Sequence, residues 1–413
     1  MKREFHVRFC ERLEGETPSC LLGAIAVVTL LSFVRQQVNF KTKSPRGVHH
    51  SIGIDHSQNK LYSPGNRKPA TGNLKPETIS SVYQIMLRYL ILLLSVSIPA
   101  CQAQEVAFTI MEKDLIPEGI AYDPVDSKFY ISSTYKKKII EIDRATGMYR
   151  DFIREGEDGI AGVIGMHVDA GRRLLWAVTA TAGSGMPARN IADDFSYTGV
   201  YKYDLTSRKL LKKYVLEKSE DHFLNDLTIL QDGTVYVTDT QAKSIYTITP
   251  AGDKLELFHS FAEDSYPNGI VHTADEKNLI IAVYKQQPNA LLMLKLKEKT
   301  HQLVEMPNGE SVGADGICLY ENTVVAVQPG TPDRIIAQYF FSDPQFTGTP
   351  TIKTLVADHA RFLQPTTGVV VGDEFYFIAN SQLQHFRKLF AEHKGNYPTD
   401  QLVDPVIMKL RLK

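Results

Sequence analysis

Four oxygen-bearing side chains occur at the same point of a phrase that recurs along the sequence. They are Glu118, Asn225, Asn268 and Asp315, and each precedes a small or polar residue that opens a strand-like run. Carboxylate and amide oxygens are typical ligands of calcium and similar divalent cations, whereas zinc prefers His and Cys. Such residues are also common in turns, but a preference for turns does not explain why all four occur at the same position of the repeat. The pattern therefore predicts that the four side chains hold one divalent cation, Ca²⁺ in the first place, with Mg²⁺, Mn²⁺ or Zn²⁺ as alternatives.

The recurring phrase also predicts the fold. Its six copies place these residues in register: Glu118, Ile164, Asn225, Asn268, Asp315 and Thr367. The stretch from Phe223 to His259 shows a complete unit, four strand-like runs separated by turns. Units of four short strands that repeat every 40–60 residues or so are typical of a β-propeller. We therefore expect an all-β fold, a six-bladed β-propeller with four-stranded antiparallel blades, whose register positions meet at one mouth of the central channel.

The two ends of the repeat region are each incomplete. A lone strand-like run, Val106–Ile110, precedes the first copy, and the last copy ends with its third strand at Val406–Lys413. The N-terminal run can supply the missing outermost strand, which would close the ring and cover edges that an open propeller would expose.

These motifs resemble the senescence-marker-protein/gluconolactonase (regucalcin-like) family, whose fold is related to that of the paraoxonases, diisopropyl fluorophosphatase and strictosidine synthase. The resemblance covers roughly Glu105 to Lys413 and rests on Glu118 before Gly119, Asn225 before Asp226, Asn268 before Gly269, and Asp315 before Gly316. It implies that these four residues bind the divalent metal. Two departures, Leu227 for a Gly and Phe223 for a substrate-gripping Arg, weaken the case for a sugar substrate more than the case for the metal.

The resemblance implies a metal-dependent hydrolase that acts on a lactone or related ester. The cation would polarise the carbonyl and activate water, and Asp315 or Asp226 would move the proton as the catalytic residue. Asp315 is narrowly preferred. Two alternatives stay open, a paraoxonase-like arylesterase and a non-catalytic binding propeller pinned by calcium. Carbon–carbon bond formation of the strictosidine synthase type is disfavoured by the retained ligand set, and no G-x-S-x-G motif suggests a nucleophilic serine.

Two long insertions, at 181–196 and 381–404, fall between the second and third strands of blades 2 and 6. In an antiparallel blade these connections emerge on the face where the innermost strands begin, so we expect them to wall the metal site. The predicted substrate-binding residues are Arg189, Asn190, Thr367, Gln382 and His385, with Asp193 and Asp194 as further candidates.

The sequence before the repeats predicts a different organisation. Residues 1–85 are expected to be a disordered or non-native extension, 86–103 a signal peptide and 104–413 the propeller. The segment from Met86 has an Arg, an apolar core and small residues at its end. Cleavage after Ala103 is slightly favoured; cleavage before Cys101 would instead give a lipid anchor. Either route predicts an exported protein, periplasmic or secreted.

The composition excludes some partners. With 43% hydrophobic and 23% charged residues and a net charge of −1, the chain has no basic excess for nucleic acid. We expect a small-molecule substrate, no nucleic acid, and membrane contact only through a lipid at Cys101; the oligomeric state is not predicted. Cys318 is expected to be a core residue rather than a nucleophile.

Overall fold

The computed structural model describes residues 104–181, 197–217, 222–261, 265–284, 289–330 and 334–412, together with four short strands nearer the N-terminus. The chain divides into two compact units, Met1–Cys101 and Gln102–Lys413. The first unit contains two antiparallel strand pairs: β1 (Thr42–Lys43) with β2 (His49–His50), and β3 (Gly53–Asp55) with β4 (Lys60–Tyr62). The predicted signal peptide, including Cys101, lies outside the described residues. Within the described ranges, no helix is long and apolar enough to cross a membrane.

The second unit consists of six four-stranded antiparallel sheets, which confirms the six-bladed β-propeller. Blades 1 and 2 contain β6 to β13: Pro117–Asp123, Lys128–Ser133, Lys138–Asp143, Tyr149–Ile153, Gly162–Asp169, Leu174–Ala180, Tyr197–Asp204 and Leu210–Glu217. Blades 3 and 4 contain β14 to β21: Leu224–Ile229, Val235–Asp239, Ser244–Ile248, Glu256–Ser260, Tyr266–His272, Asn278–Tyr284, Ala290–Lys295 and Thr300–Leu303. Blades 5 and 6 contain β22 to β28: Ile317–Tyr320, Thr323–Gln328, Ile335–Phe340, Thr351–Ala357, Gly368–Val371, Glu374–Ile378 and Val406–Arg411.

The ring closes through the N-terminal strand, as predicted. The fourth strand of blade 6 is β5 (Glu105–Thr109), which pairs antiparallel with β28 and sets Val406 opposite Thr109. The Phe108 ring of β5 packs 5.3 Å from the Phe129 ring of blade 1. The first blade and the last are therefore joined by side-chain packing as well as by the strand pairing.

Burial along each blade explains why the strands read as continuous apolar runs. Every residue of the second strand β11 is buried, whereas every residue of the outermost strand β21 is exposed. Blades pack face to face, so both faces of the inner strands are covered. Between blades 4 and 5, for example, Ile280 and Leu291 share one apolar cluster with Val324.

The blade 6 insertion is ordered and contains the helix α1 (Leu383–Glu392) and a short turn of 3-10 helix, Thr399–Gln401. Leu383, Phe386 and Leu389 form the buried face of α1. They pack in one cluster with Ile116 and Tyr135 of the first blade region. The helix is therefore fixed across the junction of blades 6 and 1, beside the start of β6.

Candidate carboxylate site at the channel mouth

The innermost strands of all six blades line a central channel with a cavity of about 270 Å³. Because each blade is antiparallel, the six strand starts lie on one face of the ring, together with the connections between second and third strands. The positions predicted from the repeat therefore lie around one mouth of the channel.

Three of the predicted ligands lie where the pairing between the first and second strands of a blade is irregular. The register of β6 against β7 shifts between Pro117 and Ile120, so Glu118 lies within the step. A similar shift brackets Asn225 in β14 and Asn268 in β18. Such bulges bend a strand and re-aim its side chains, and they are common next to functional sites. Three of the four predicted ligands thus share this backbone feature, whereas Asp315 precedes β22, whose pairing with β23 is regular.

Three carboxyl groups converge at this mouth. The charges of Asp315 and Asp226 both act on Glu118, and Asn268 Nδ2 donates a 2.8 Å hydrogen bond to Asp315 Oδ1. The structure therefore brings together Glu118, Asp226, Asn268 and Asp315 from four different blades. Asn225 is buried next to Asp226 in the sequence, and its Nδ2 donates to Thr240 Oγ1 at 3.0 Å.

Glu118 is the least satisfied of these groups. Its Oε2 atom is buried and, among the described residues, has no hydrogen-bond partner. Burial and then the charge of Asp315 raise the pKa of Glu118 well above its usual value. A buried carboxyl oxygen without a partner is costly, so this atom is free to accept a bond from a ligand.

The pKa values of the two aspartates are raised as well. Burial raises the pKa of Asp226 to about 7, although the N–H groups of Leu227 and Ile270 favour its charged form. Burial also raises the pKa of Asp315 to about 6, opposed by the hydrogen bond from Asn268. Perturbed carboxyl groups that cluster in a cleft are typical of functional sites.

The donor set fits a hard divalent cation. The amide nitrogens of Asn225 and Asn268 are engaged by Thr240 and Asp315, which leaves both amide oxygens to accept. Together with the carboxylates of Glu118 and Asp315 they form an all-oxygen set, as calcium prefers. Among the described residues, no group of three or more His, Cys, Asp or Glu side chains is arranged to hold a metal. The fit of this site to a divalent cation therefore depends on the amide oxygens of Asn225 and Asn268 as well as on the carboxylates.

The predicted substrate contacts have different locations. Thr367 lines the channel, and its hydroxyl donates a 2.7 Å bond to the backbone oxygen of Glu118, parallel to a 2.9 Å bond from Thr366. Thr367 thus also positions Glu118. Arg189 and Asn190, with Asp193 and Asp194, lie outside the described residues.

Gln382 and His385 make hydrogen bonds within and beside the blade 6 insertion, and their predicted contact with substrate stays a prediction. The buried Gln382 amide donates to the backbone oxygens of Lys113 and Val403 and accepts from the Val403 N–H. His385 Nε2 lies 3.0 Å from the backbone oxygen of Gln401. These contacts anchor α1, because the insertion must satisfy its own backbone groups once it packs against blade 1.

Sequence reasoning missed two residues at this mouth. Arg387 of α1 interacts electrostatically with Glu118, and its Nε is buried without a hydrogen-bond partner among the described residues. Burial, then Asp315 and Glu118, raise the pKa of Tyr284, at the end of β19, well above its usual value. Arg387 belongs to the insertion 381–404, which was expected to wall the metal site. The sequence of this insertion does not show which of its side chains lies near the carboxyl groups.

Deeper in the channel the chemistry changes. His272 Nδ1 lies 2.8 Å from Thr228 Oγ1, and the nearby His167 has its pKa lowered to about 4, mainly by burial. Burial raises the pKa of the Cys318 thiol to about 12, and its sulfur donates to Gly368 O. A thiol held in its neutral form is a poor nucleophile, in agreement with the structural role expected for it.

No protein-family model and no curated protein matches the sequence. Solved structures do match. The allergen Mala s 1 of Malassezia sympodialis has a TM-score of 0.53 at 17% identity, covering 74% of this chain and 95% of its own. A gluconolactonase of Xanthomonas campestris has a TM-score of 0.51 at 12% identity, covering 76% and 90%. The calcium-binding protein regucalcin of Agrobacterium tumefaciens has a TM-score of 0.50 at 14% identity, covering 75% and 96%.

At these identities the likeness shows the fold and not the activity, since an allergen, a gluconolactonase and a calcium-binding protein all share it. The chain is a six-bladed β-propeller with the fold of gluconolactonase and regucalcin, the structures to which its sequence motifs point.

Proposed function

We propose that this protein is a divalent-metal-dependent hydrolase of a lactone or related ester. One observation carries the proposal: carboxyl groups from separate blades converge at the channel mouth, and one of their oxygens, Glu118 Oε2, is buried without a partner. Fold likeness to a gluconolactonase and to a calcium-binding protein supports the same function without establishing it.

Glu118, Asn225, Asn268 and Asp315 would hold the cation. Calcium fits the all-oxygen set best, and two carboxylates with two neutral amides leave a divalent ion without excess negative charge. When bound, the cation would supply a Lewis acid for the carbonyl oxygen of the ester. The proposal places the reacting carbonyl at this mouth of the channel.

Asp226 is the carboxyl group best placed to move a proton. It lines the channel next to the proposed ligand Asn225 but is not itself in the ligand set, and backbone N–H groups fix its orientation. We propose that it accepts a proton from the attacking water and returns it to the alcohol oxygen that leaves when the ester C–O bond breaks. Asp315 was the narrow preference from sequence; its hydrogen bond with Asn268 instead suits a fixed ligand.

The competing function is a binding propeller in which the cation only pins the blades. Hydrogen bonds between blades support this alternative. Thr366 and Thr367 of blade 6 donate to the Glu118 backbone oxygen, and Asn268 of blade 4 donates to Asp315 of blade 5. The site residues therefore also join neighbouring blades.

A substrate panel distinguishes the two functions. The full chain would be assayed against sugar lactones, aryl esters and phosphotriesters, with calcium and with chelator. The hydrolase predicts turnover of a lactone or ester that chelator abolishes and calcium restores, and that Glu118→Gln removes. A stabilising effect of calcium with no turnover of any panel member would support the binding propeller instead.

A further inference from the structure

Arg387 is a charged group at the site whose presence the cation chemistry does not explain. It lies on α1, one turn after Leu383, and α1 is fixed by Leu383, Phe386 and Leu389 in the apolar cluster against blade 1. Its backbone position is therefore rigid. The guanidinium is close enough to the Glu118 carboxyl for their charges to interact, and its Nε atom is buried.

Arg387 and Glu118 do not satisfy each other. Arg387 Nε and Glu118 Oε2 are both buried and, among the described residues, both are without a hydrogen-bond partner. Arginine stays protonated even where burial lowers its pKa, as it does here. A structural ion pair would join these two atoms, because leaving a buried donor and a buried acceptor atom unbonded is costly.

A cation bound to Glu118 would make the position of Arg387 less favourable electrostatically. The Glu118 charge would then be shared with the cation, and Arg387 would lack a counter-charge. An oxyanionic ligand group between them would contact both positive charges. The planar guanidinium fork matches the geometry of a carboxylate or a phosphate.

We propose that Arg387 binds an oxyanionic group of the substrate, a carboxylate or a phosphate, so that the site selects acidic lactones or esters over neutral ones. This inference rests on the proposed function for the reacting carbonyl, but the binding of the anion by Arg387 can be measured without turnover.

The binding arm uses calorimetric titration of the full chain, loaded with calcium, with glutarate and separately with methylphosphonate. At least one of the two anions should bind, and the preferred one identifies the oxyanion as carboxylate or phosphonate-like. Arg387→Gln should weaken that binding by about tenfold or more, the usual scale for loss of a charge-assisted bond. Arg387→Lys should retain part of the affinity, and this result would show that the site still folds when Arg387 is replaced. The matched control is Lys388→Gln, which removes the same charge from the neighbouring, exposed residue of α1.

The activity arm compares γ-butyrolactone-γ-carboxylate with its neutral methylamide. The wild-type protein should favour the acidic lactone in kcat/KM by about tenfold or more, and Arg387→Gln should abolish that preference, so that the ratio of its kcat/KM values for the two lactones falls to about one. Anion binding through Arg387 with neither lactone hydrolysed would overturn the hydrolase and leave this inference standing. Hydrolysis with equal preference in the wild type and Arg387→Gln, together with unchanged anion affinity, would overturn the inference and leave the hydrolase standing.

Discussion

The Asp226 carboxylate occupies the space that a side chain at Gly165 would need. A Cβ atom added to Gly165 would lie 2.5 Å from Asp226 Oδ1 and 2.7 Å from the Asn225 backbone oxygen. The glycine of blade 2 therefore permits the close approach of blade 3 that sets the position of Asp226 in the channel.

Gly165→Ala should consequently displace Asp226 and strain the junction between blades 2 and 3. We expect a loss of about 1–3 kcal/mol in the free energy of unfolding, as for other overpacked sites. Hydrolysis should fall by about 100-fold if Asp226 moves the proton, since small misplacements of reacting groups have effects of this size. Urea denaturation and kcat/KM measure the two effects. Gly330→Ala is the control, because a Cβ there meets nothing within 4 Å; equal behaviour of the two variants would refute the close-packing account.

Ring closure predicts a large effect at the N-terminal strand. Phe108 is 8% exposed and packs against Phe129 and Tyr376, so Phe108→Ala should cost about 3–5 kcal/mol in the free energy of unfolding. Val106→Ala, on the same strand but 41% exposed, should cost far less. Denaturant titration of both variants measures the difference. A small loss for Phe108→Ala would mean that β5 contributes little to holding the ring.

The histidine in the channel predicts a pH dependence. Burial, then His272, lowers the pKa of His167 from 6.5 to about 4. At this one residue the unfolded chain therefore binds more protons than the folded one between these values, so the contribution of His167 to stability falls as the pH falls from about 6.5 to 4. The raised pKa values of Asp226 and Asp315 act in the opposite direction in this range. His167→Gln should remove the His167 contribution, so that the variant loses less stability, or gains more, than the wild type as the pH falls from about 6.5 to 4, as measured by thermal unfolding in a series of buffers. His393→Gln, at an exposed position, is the control; an unchanged slope in His167→Gln would contradict the prediction.

The sequence was sufficient for the parts of the molecule that repeat. Each blade places the start of its innermost strand at the same mouth, so the repeat of the structure gives a repeat in the sequence. This repeat made it possible to align Glu118, Asn225, Asn268 and Asp315. The strand that closes the ring could be inferred because the last repeat lacks one. The sequence does not establish the ligand roles of these residues, and they remain predictions.

The contacts that do not repeat could not be foreseen. The approach of Arg387 to Glu118 depends on how α1 packs over Tyr135, and a polar residue in a long insertion has no periodic pattern to mark its direction. In the same insertion, the Gln382 amide donates to the backbone oxygens of Lys113 and Val403, a contact that the sequence does not indicate, and its role as a substrate contact stays a prediction. Only tertiary packing decides between these outcomes.

The central claim is that Glu118 and its partners hold a divalent cation, and calcium titration of the chelator-treated full chain by calorimetry tests it most directly. We predict one calcium ion bound per chain and a loss of affinity of at least about tenfold in Glu118→Gln, since ligand charge sets calcium affinity. Glu305→Gln, at an exposed position, should bind as the wild type does. Failure of the wild type to bind any divalent ion, or equal binding by Glu118→Gln, would contradict the account.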